Sequence, residues 1–290
     1  MTKFMQRTQE PKANYILILI NQILCERDPL GLTQTKDNIK DEYMDIAKHI
    51  AILLDIKSKQ EITDSEIKAI MDCWFCETAP HKIDVFMQVV RDLQSQFKDH
   101  LPFSDQKKIQ IFYLNGWGSC FDDTSAKIQC LNQIGNVSGN TIDYTKPESE
   151  IIAEIAPILK LIGTEVIIGT SMGGYLASKL SEHCNIPFIA INPAIEPRKT
   201  LQKYLGHGKT YQGDDYYLDQ ATLDSYSTFS TEAEGLILLD EGDELIDAHH
   251  TKSALENTYF IQMFKGGNHR FDHMQESLAL IKLYVHPFQL

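Results

Sequence analysis

The sequence is poor in the features that mark several protein classes. Its 290 residues include only six cysteines and two tryptophans, and no apolar run is long enough to span a bilayer. Six cysteines are too few for a disulfide scaffold in a chain of this length, so we expect reduced thiols in a cytoplasmic protein. Lysine and arginine number 27 against 40 aspartates and glutamates, which leaves a net charge of −13. This acidic balance argues against nucleic acid or an anionic membrane surface as the main partner.

Two short motifs suggest other classes of protein, but their surroundings do not support them. The apolar run Tyr15–Ile20 follows basic residues, yet Asn21 and Gln22 interrupt it and no small-residue cleavage site follows. We interpret it as a buried amphipathic helix. Cys73 and Cys76 have the C-x-x-C spacing of redox and zinc sites. Because neither a second such pair nor a βαβ pattern accompanies them, the spacing favours a helical core position.

The periodicity of the apolar residues divides the chain into two blocks. From residue 13 to about 100 they recur at helical spacing, and Thr63 with Glu66 predicts a capping box at one helix start. From Ile109 onward short apolar strands, one of them at Thr141–Tyr144, alternate with helices. This alternation predicts an α/β fold with a mostly parallel sheet covered on both faces. We therefore predict a small all-α domain over residues 1–104 and an α/β domain over residues 105–290.

The segment Gly169-Thr170-Ser171-Met172-Gly173 fits G-x-S-x-G, the pattern of a nucleophile elbow. It follows a buried strand, Val166–Ile168, and opens a helix, which is the context that the motif requires. We expect a strained backbone at Ser171, and we expect both flanking glycines to be needed because side chains there would collide. A phosphate-binding loop is the alternative, but no Gly-Lys-Ser/Thr sequence follows.

A serine nucleophile needs a base and an orienting acid, and in this architecture the acid precedes the histidine. His269 follows the last predicted strand, so we predict that it is the base. A metal pair of His269 with His273 is the alternative, although no further ligands are evident. Asp243 follows the turn at Gly242 and is predicted to orient the imidazole. Asp247 is the second choice among the acidic residues of this stretch, which also include Asp240, Glu241 and Glu244.

A tetrahedral oxyanion needs two backbone N–H donors. We predict that these are the N–H groups of Met172 and of Trp117, which lies in the loop after the first strand of the α/β domain. Gly116 lets the backbone approach closely, and we expect Gly116 and Thr170 to contact the substrate. Residues 192–231, rich in tyrosine, form either a small cap over an acyl pocket or an ordinary surface connection. This chemistry requires no metal and no organic cofactor.

In combination these segments resemble the α/β-hydrolase superfamily and, within it, the small YqiA-like bacterial esterases. The resemblance covers roughly residues 109–285 and rests on Leu114–Trp117, Gly169–Tyr175, Asn192–Ala194, Tyr204–Gly206, Tyr211–Gly213, Gly242–Glu244 and Gly266–Phe271. It implies that a Ser-His-Asp triad hydrolyses carboxylic esters or acyl thioesters of small to medium chain length. One departure is Asn115, which stands where that family usually has histidine. We expect it to change the polarity at the mouth of the pocket.

The N-terminal block resembles a small helical bacterial domain family of unknown function, through Asp28–Leu32 and Asp41–Tyr43. Three roles stay open for this block, namely binding a protein partner, regulating the hydrolase and covering its active site. Two other functions stay open for the whole chain. One is a peptidase or acyltransferase with the same triad, because a fold does not determine a substrate. The other is a binding or immunity-like protein whose hydrolase domain is vestigial.

Overall fold

Four helices come first in the computed structural model, which describes residues 11–32, 43–57, 60–75, 80–97 and 108–285. They are α1 (Pro11–Arg27), α2 (Met44–Ile56), α3 (Asp64–Trp74) and α4 (Pro80–Phe97). Their apolar faces share one core, which includes Leu24, Ile50 and Phe86. The capping box predicted at Thr63 and Glu66 is confirmed at the start of α3. None of the described helices has the length and apolar character needed to cross a membrane.

The turn after α1 is tied to the start of α2 through Tyr43. The Leu30 N–H donates to the Tyr43 hydroxyl at 3.0 Å, and that hydroxyl donates to Oδ1 of Asp28 at 2.9 Å. The residues of the N-terminal motif that are described therefore contact one another, whereas Asp41 and Glu42 lie outside the described residues. Cys76 lies outside them as well. Burial raises the pKa of Cys73 to about 12, which keeps this thiol protonated at neutral pH.

Strands alternate with helices from Lys108 onward. In chain order the elements are β1 (Ile109–Leu114), α5 (Ala126–Leu131), β2 (Gly135–Asn140), α6 (Glu148–Leu161), β3 (Val166–Thr170), α7 (Met172–Cys184), β4 (Phe188–Ile191), α8 (Pro197–Gln202), β5 (Gly206–Lys209), β6 (Asp215–Leu218), α9 (Gln220–Ser225), β7 (Gly235–Asp240), α10 (Ala248–Leu255), β8 (Phe260–Phe264) and α11 (Met274–Val285). Six strands form one sheet in the order β2-β1-β3-β4-β7-β8, and all neighbouring pairs are parallel. The predicted α/β fold with a largely parallel sheet is confirmed.

The register of this sheet brings several loops to one edge. Strands β3 and β4 are buried along their whole length. Gly169 in β3 pairs with Leu114 in β1, and Thr170 pairs with Ile191 in β4. Because the strands are parallel, their carboxyl ends lie at the same edge, where ligand sites of open α/β sheets form. The loops that follow β1, β3, β4, β7 and β8 all begin there.

The prediction of a strand at Thr141–Tyr144 is wrong, because the structure has a strand earlier in the chain, β2. This strand reads Gly-Asn-Val-Ser-Gly-Asn and lies at the edge of the sheet, so it carries no apolar run. Close packing demands its two glycines. A Cβ on Gly135 would lie 2.6 Å from the Ile109 carbonyl oxygen, and a Cβ on Gly139 would lie 2.5 Å from that of Tyr113.

The internal contacts divide the chain into two units, Met1–Lys107 with Gln275–Leu290 and Lys108–Met274. Helix α11 is therefore grouped with the four N-terminal helices, whereas the sequence analysis placed it in the α/β domain. Its Ala279 contributes to the core of that helical unit, and Nζ of its Lys282 lies 2.7 Å from Oδ2 of Asp55 in α2.

Candidate active site

Ser171 lies in the sharp turn between β3 and α7. Its φ of 58° and ψ of −119° belong to a region that residues other than glycine rarely adopt. A Cβ on Gly169 would lie 2.1 Å from the carbonyl oxygen of Gly173, and a Cβ on Gly173 would lie 2.1 Å from that of Leu114. The expected backbone strain at Ser171 and the need for both glycines are confirmed.

The backbone of Ser171 is bonded to the last residue of β4 and to the loop that follows it. Its N–H donates to the Ile191 carbonyl at 2.9 Å, and its own carbonyl accepts the N–H of Ala194 at 3.1 Å. Met172 is the first residue of α7, so its N–H lies at the helix N-terminus, where the helix dipole favours negative charge. The predicted oxyanion donor and the predicted nucleophile are therefore on one rigid turn.

Asp243 and His269 form a hydrogen-bonded pair. Nδ1 of His269 lies 2.8 Å from Oδ2 and 2.9 Å from Oδ1 of Asp243, and only 1% of the Asp243 side chain is exposed. Asp243 Oδ1 also accepts the N–H groups of Leu245 at 2.8 Å and Ile246 at 2.9 Å. An ionised carboxylate only accepts hydrogen bonds, so we assign the imidazole proton to Nδ1. Nε2 is then free to act as a base.

The structure does not join all three predicted triad residues by hydrogen bonds. In the part of the chain that is described, no hydrogen bond links Oγ of Ser171 to His269. Catalytic hydrogen bonds are often long in structures without substrate and shorten only in the reacting complex. The hydrogen bond between the carboxylate and the imidazole is formed, and the serine lies on another loop at the same sheet edge.

The loop after β1 approaches Ser171 at Gly116. A Cβ on Gly116 would lie 3.3 Å from Cβ and 3.8 Å from Oγ of Ser171. Glycine at this position therefore leaves open the space beside Oγ of Ser171. Trp117 follows, and its ring is half-buried. The expected close approach of the backbone at Gly116 is present, whereas the contact of Gly116 with substrate and the direction of the Trp117 N–H stay predictions.

Asn115, which stands where the resembled family usually has histidine, is hydrogen-bonded to this loop. Its Nδ2 donates to the carbonyls of Gly116 at 3.0 Å and Ser119 at 2.7 Å, and its Oδ1 accepts the Ile142 N–H at 3.1 Å. The side chain is buried, so the expectation that it changes the polarity at the mouth of the pocket is wrong. Asn115 instead fixes the turn from which Gly116 and Trp117 project.

Thr170, predicted to contact substrate, has its hydroxyl engaged by two other side chains. The Tyr113 hydroxyl lies 2.8 Å from Oγ1 of Thr170, and Nζ of Lys127 lies 2.9 Å from the same atom. Thr170 is 8% exposed. These contacts anchor the strand that carries Ser171, and a role of Thr170 in binding substrate stays a prediction.

The segment 192–231 forms α8, an antiparallel hairpin of β5 and β6, and α9, none of which the hydrophobic pattern indicated. The hairpin contacts the loop after β1, because the N–H of Tyr211 donates to the Gly118 carbonyl at 2.9 Å. Trp117 stacks on Tyr204, with ring centroids 5.1 Å apart, and meets the edge of Tyr216 at the same distance. An aromatic cluster thus lies beside the predicted oxyanion loop.

A second Asp–His pair, which the sequence analysis missed, lies beside the first. Nδ1 of His273 is 2.6 Å from Oδ1 of Asp240, and burial raises the pKa of that carboxyl. His273 is therefore engaged by a carboxylate, and the described residues contain no His, Cys, Asp and Glu group suited to a metal. Asp247, the second choice for the acid, instead caps α10 by accepting the His250 N–H at 2.9 Å.

Comparison with solved structures finds esterases and lipases at low similarity. Est1E from Butyrivibrio proteoclasticus is 16% identical, with a TM-score of 0.45 over 64% of this chain and 89% of that one. A monoacylglycerol lipase from Paleococcus ferrophilus is 13% identical, with a TM-score of 0.46 over 62% and 96% of the two chains. Similarities this low carry no information about substrate.

Comparison with curated sequences finds relatives that match about three fifths of this chain. A UPF0227 protein of Vibrio parahaemolyticus is 23% identical over 180 residues, which are 59% of this chain and 97% of that protein. A UPF0227 protein of Yersinia pseudotuberculosis is 25% identical over 182 residues, 60% and 97% of the two chains. The model of the uncharacterised protein family UPF0227 matches residues 110–286, α11 included, so the domain boundary at residues 104 and 105 stays a prediction. Because this match covers more than half of its length, the chain belongs to the family UPF0227.

Proposed function

We propose that this protein is a serine hydrolase that cleaves carboxylic esters or acyl thioesters through an acyl-enzyme. The observation that carries the proposal is the placement of a strained serine and a carboxylate-paired imidazole on loops of one sheet edge. Ser171 has φ 58° in the turn from β3 to α7, and His269 is bonded to the buried Asp243 in the loop after β8. Strain of this kind is retained mainly where function requires it.

The chemistry follows from the free ring nitrogen of His269. Nε2 takes the hydroxyl proton as Oγ of Ser171 attacks the acyl carbonyl carbon, and the carbonyl oxygen becomes an oxyanion. The N–H groups of Met172 and Trp117 donate to that oxyanion. His269 then passes its proton to the leaving alkoxide or thiolate, which departs and leaves the acyl group on Ser171. Water attacks this ester with the help of His269, the acid is released, and Oγ regains its proton.

Asp243 has two effects in this cycle. Its carboxylate fixes the tautomer in which Nδ1 carries the proton, so Nε2 faces the serine as an acceptor. It also stabilises the imidazolium that forms after proton transfer, without taking the proton itself. The N–H groups of Leu245 and Ile246 hold the same carboxylate oxygen in place.

The aromatic cluster favours a small to medium acyl group. Trp117, Tyr204 and Tyr216 pack on one another beside the loop after β1 and form a rigid apolar wall. The hairpin that supplies Tyr216 consists of two four-residue strands, and its tip is bonded to Gly118. We propose that this short cap limits the length of the acyl chain. We also propose that the reaction takes place in the cytoplasm, because six cysteines in 290 residues are too few for a disulfide scaffold and are typical of a reducing compartment.

The test is covalent labelling and hydrolysis by the full chain. A fluorophosphonate forms an Oγ–phosphorus bond with loss of fluoride, so mass spectrometry should find the label on Ser171. Hydrolysis of p-nitrophenyl esters from acetate to laurate, and of matching acyl thioesters, should disappear in Ser171→Ala. The control is Ser253→Ala, which changes an exposed serine of α10 and should keep both activities. Equal labelling and turnover in wild type and Ser171→Ala would refute the proposal.

A further inference from the structure

The loop that carries His269 wraps around a buried carboxylate. Asp240, the last residue of β7, is fully buried. Its Oδ2 accepts the N–H of Asn268 at 3.2 Å and that of Asp272 at 2.8 Å. A Cβ on Gly267, which has φ +71°, would lie 1.9 Å from this same oxygen, so only glycine lets the loop approach so closely. Asp240 therefore holds the backbone on both sides of His269.

Asn192 holds the same loop from the end of β4. Its Nδ2 donates to the carbonyls of Asn268 at 3.1 Å and His269 at 3.4 Å, and its Oδ1 accepts the N–H of Asp240 at 2.8 Å. The side chain is 1% exposed. The residue has φ +43°, a conformation that asparagine tolerates better than most residues. One amide group thus links the His269 loop to the backbone of Asp240, the residue whose carboxylate supports that loop.

The four backbone groups around the imidazole are all bonded to side chains. Asp240 accepts the Asn268 N–H, Asn192 donates to the carbonyls of both residues, and Glu244 accepts the His269 N–H at 2.9 Å. That last hydrogen bond is the main reason why the pKa of Glu244 is lowered. Both N–H groups and both carbonyls of this two-residue segment therefore have side-chain partners.

The turn that contains Asn192 is also hydrogen-bonded to Ser171. Asn192 directly follows Ile191, whose carbonyl accepts the Ser171 N–H at 2.9 Å, and Ala194 donates its N–H to the Ser171 carbonyl at 3.1 Å. The turn of residues 191–194 is thus bonded to the serine on one side and to the histidine loop on the other. Residues 191–194 therefore connect the two loops through hydrogen bonds.

We propose that Asn192 and Asp240 are positioning residues, which hold the backbone of residues 268–269 so that Nε2 of His269 faces Oγ of Ser171. This inference rests on the proposed hydrolase function. His273 keeps the buried carboxylate of Asp240 paired, and its ring stacks on Phe264 at a centroid distance of 4.9 Å. Neither Asn192 nor Asp240 is expected to contact substrate. Their effect is on the geometry of proton transfer.

The kinetic test uses Asn192→Gly, which tolerates the positive φ but loses the amide, and Asp240→Asn, which keeps the shape but presents an N–H donor to the loop. We expect kcat and the rate of Ser171 labelling to fall about 10- to 100-fold, because displacements of about 1 Å have effects of that size. KM should change less than about threefold, since substrate contacts stay in place. The control His249→Phe removes an exposed histidine 3.4 Å from Glu241 and should leave kcat unchanged. Unchanged kcat in both variants, measured well below their Tm, would overturn the inference.

A second measurement does not depend on turnover. Proton NMR of the wild type should show two downfield Nδ1–H resonances, one from His269 bonded to Asp243 and one from His273 bonded to Asp240. His269→Gln and His273→Phe assign them. In Asn192→Gly the His269 resonance should broaden or disappear while the His273 resonance remains. An unchanged His269 resonance would overturn the positioning role. Absence of labelling in the wild type would instead refute the hydrolase proposal, and the two failures are therefore distinguishable.

Discussion

Lowering the pH below 6.5 is expected to destabilise the helical unit through one buried histidine. His49 in α2 is 1% exposed, and burial lowers its pKa from 6.5 to about 3. Trp74 Nε1 donates to its Nδ1 at 3.2 Å, so Nδ1 must be unprotonated for this bond to form. Nε2 is buried and has no hydrogen-bond partner among the described residues. Protonation would therefore break one hydrogen bond and place a charge in an apolar core.

The magnitude follows from the difference between the folded and unfolded pKa. The unfolded chain takes up a proton at His49 as the pH falls through 6.5, and the folded chain does so only near 3. Between these values the unfolded state binds more protons, so stability rises with pH and is lost as the pH falls. Each pH unit corresponds to about 1.4 kcal/mol. The helical unit should therefore lose about 2 kcal/mol between pH 7.5 and pH 5 through this residue.

The two tryptophans of the chain make this measurable. Trp74 lies in the helical unit and Trp117 in the α/β unit, so a Trp117→Phe background leaves one reporter for the helices. Urea unfolding of the full chain, followed by Trp74 fluorescence, should give a steeper loss of stability with falling pH for wild-type His49 than for His49→Gln. The control His183→Gln changes an exposed histidine of α7 and should keep the wild-type slope. Equal slopes with and without His49 would refute the reasoning.

Three further predictions concern the candidate site and the N-terminal turn. Asp243→Asn should lower kcat about 10³- to 10⁴-fold with little change in Tm, because the imidazole loses the partner that sets its tautomer; a kcat within tenfold of wild type would contradict this. Gly116→Ala should reduce ester hydrolysis by at least about tenfold while changing the free energy of unfolding by less than about 1 kcal/mol, since its Cβ would meet Ser171 Cβ at 3.3 Å. Gly163→Ala is the control, because its Cβ would have open space although its φ is +67°. It should lower the free energy of unfolding and leave ester hydrolysis unchanged. Equal activity of both variants would count against the Gly116 assignment. Tyr43→Phe should destabilise the helical unit by about 1–3 kcal/mol in urea unfolding, because the Leu30 N–H and Asp28 lose their shared hydroxyl; a change below about 0.5 kcal/mol would show that water replaces it.

Local signals explain what could be predicted from the sequence. The nucleophile elbow was found because a buried strand, two required glycines and a helix start are consecutive. The strand β2 was missed because an edge strand with only one apolar residue carries no alternation. The buried role of Asn115 was also missed. Its partners Ser119 and Ile142 lie 4 and 27 residues away, so only the folded chain shows that its amide is enclosed.

The hydrogen bonds that Asn192 and Asp240 make to the His269 loop could not be predicted from the sequence either. Asn192 lies 48 residues before Asp240 and 76 residues before Asn268, and these separations carry no sequence pattern. A signal did exist at the end of β7, because Asp240 is the last residue of a buried strand. A carboxylate at a buried strand end needs partners, and the nearby loop after β8 supplies them. The need of this buried carboxylate for hydrogen-bond partners indicates that Asp240 supports the loop after β8.

Two Asp–His pairs lie in the same loops, and their surroundings differ in a way that favours His269 over His273 as the proposed base. Nδ1 of each histidine is engaged by its aspartate, at 2.8 Å for His269 and 2.6 Å for His273. The His273 ring is stacked on Phe264, with an interplanar angle of 9°, and Asp240 uses its other oxygen to hold the loop. Among the described residues, the side chain of Asp243 accepts N–H groups of its own turn besides its bond with His269. His269→Gln should therefore abolish fluorophosphonate labelling of Ser171, whereas His273→Gln should lower it less than about 100-fold. Loss of labelling in His273→Gln with retention in His269→Gln would show that His273 is the base and that His269 is not.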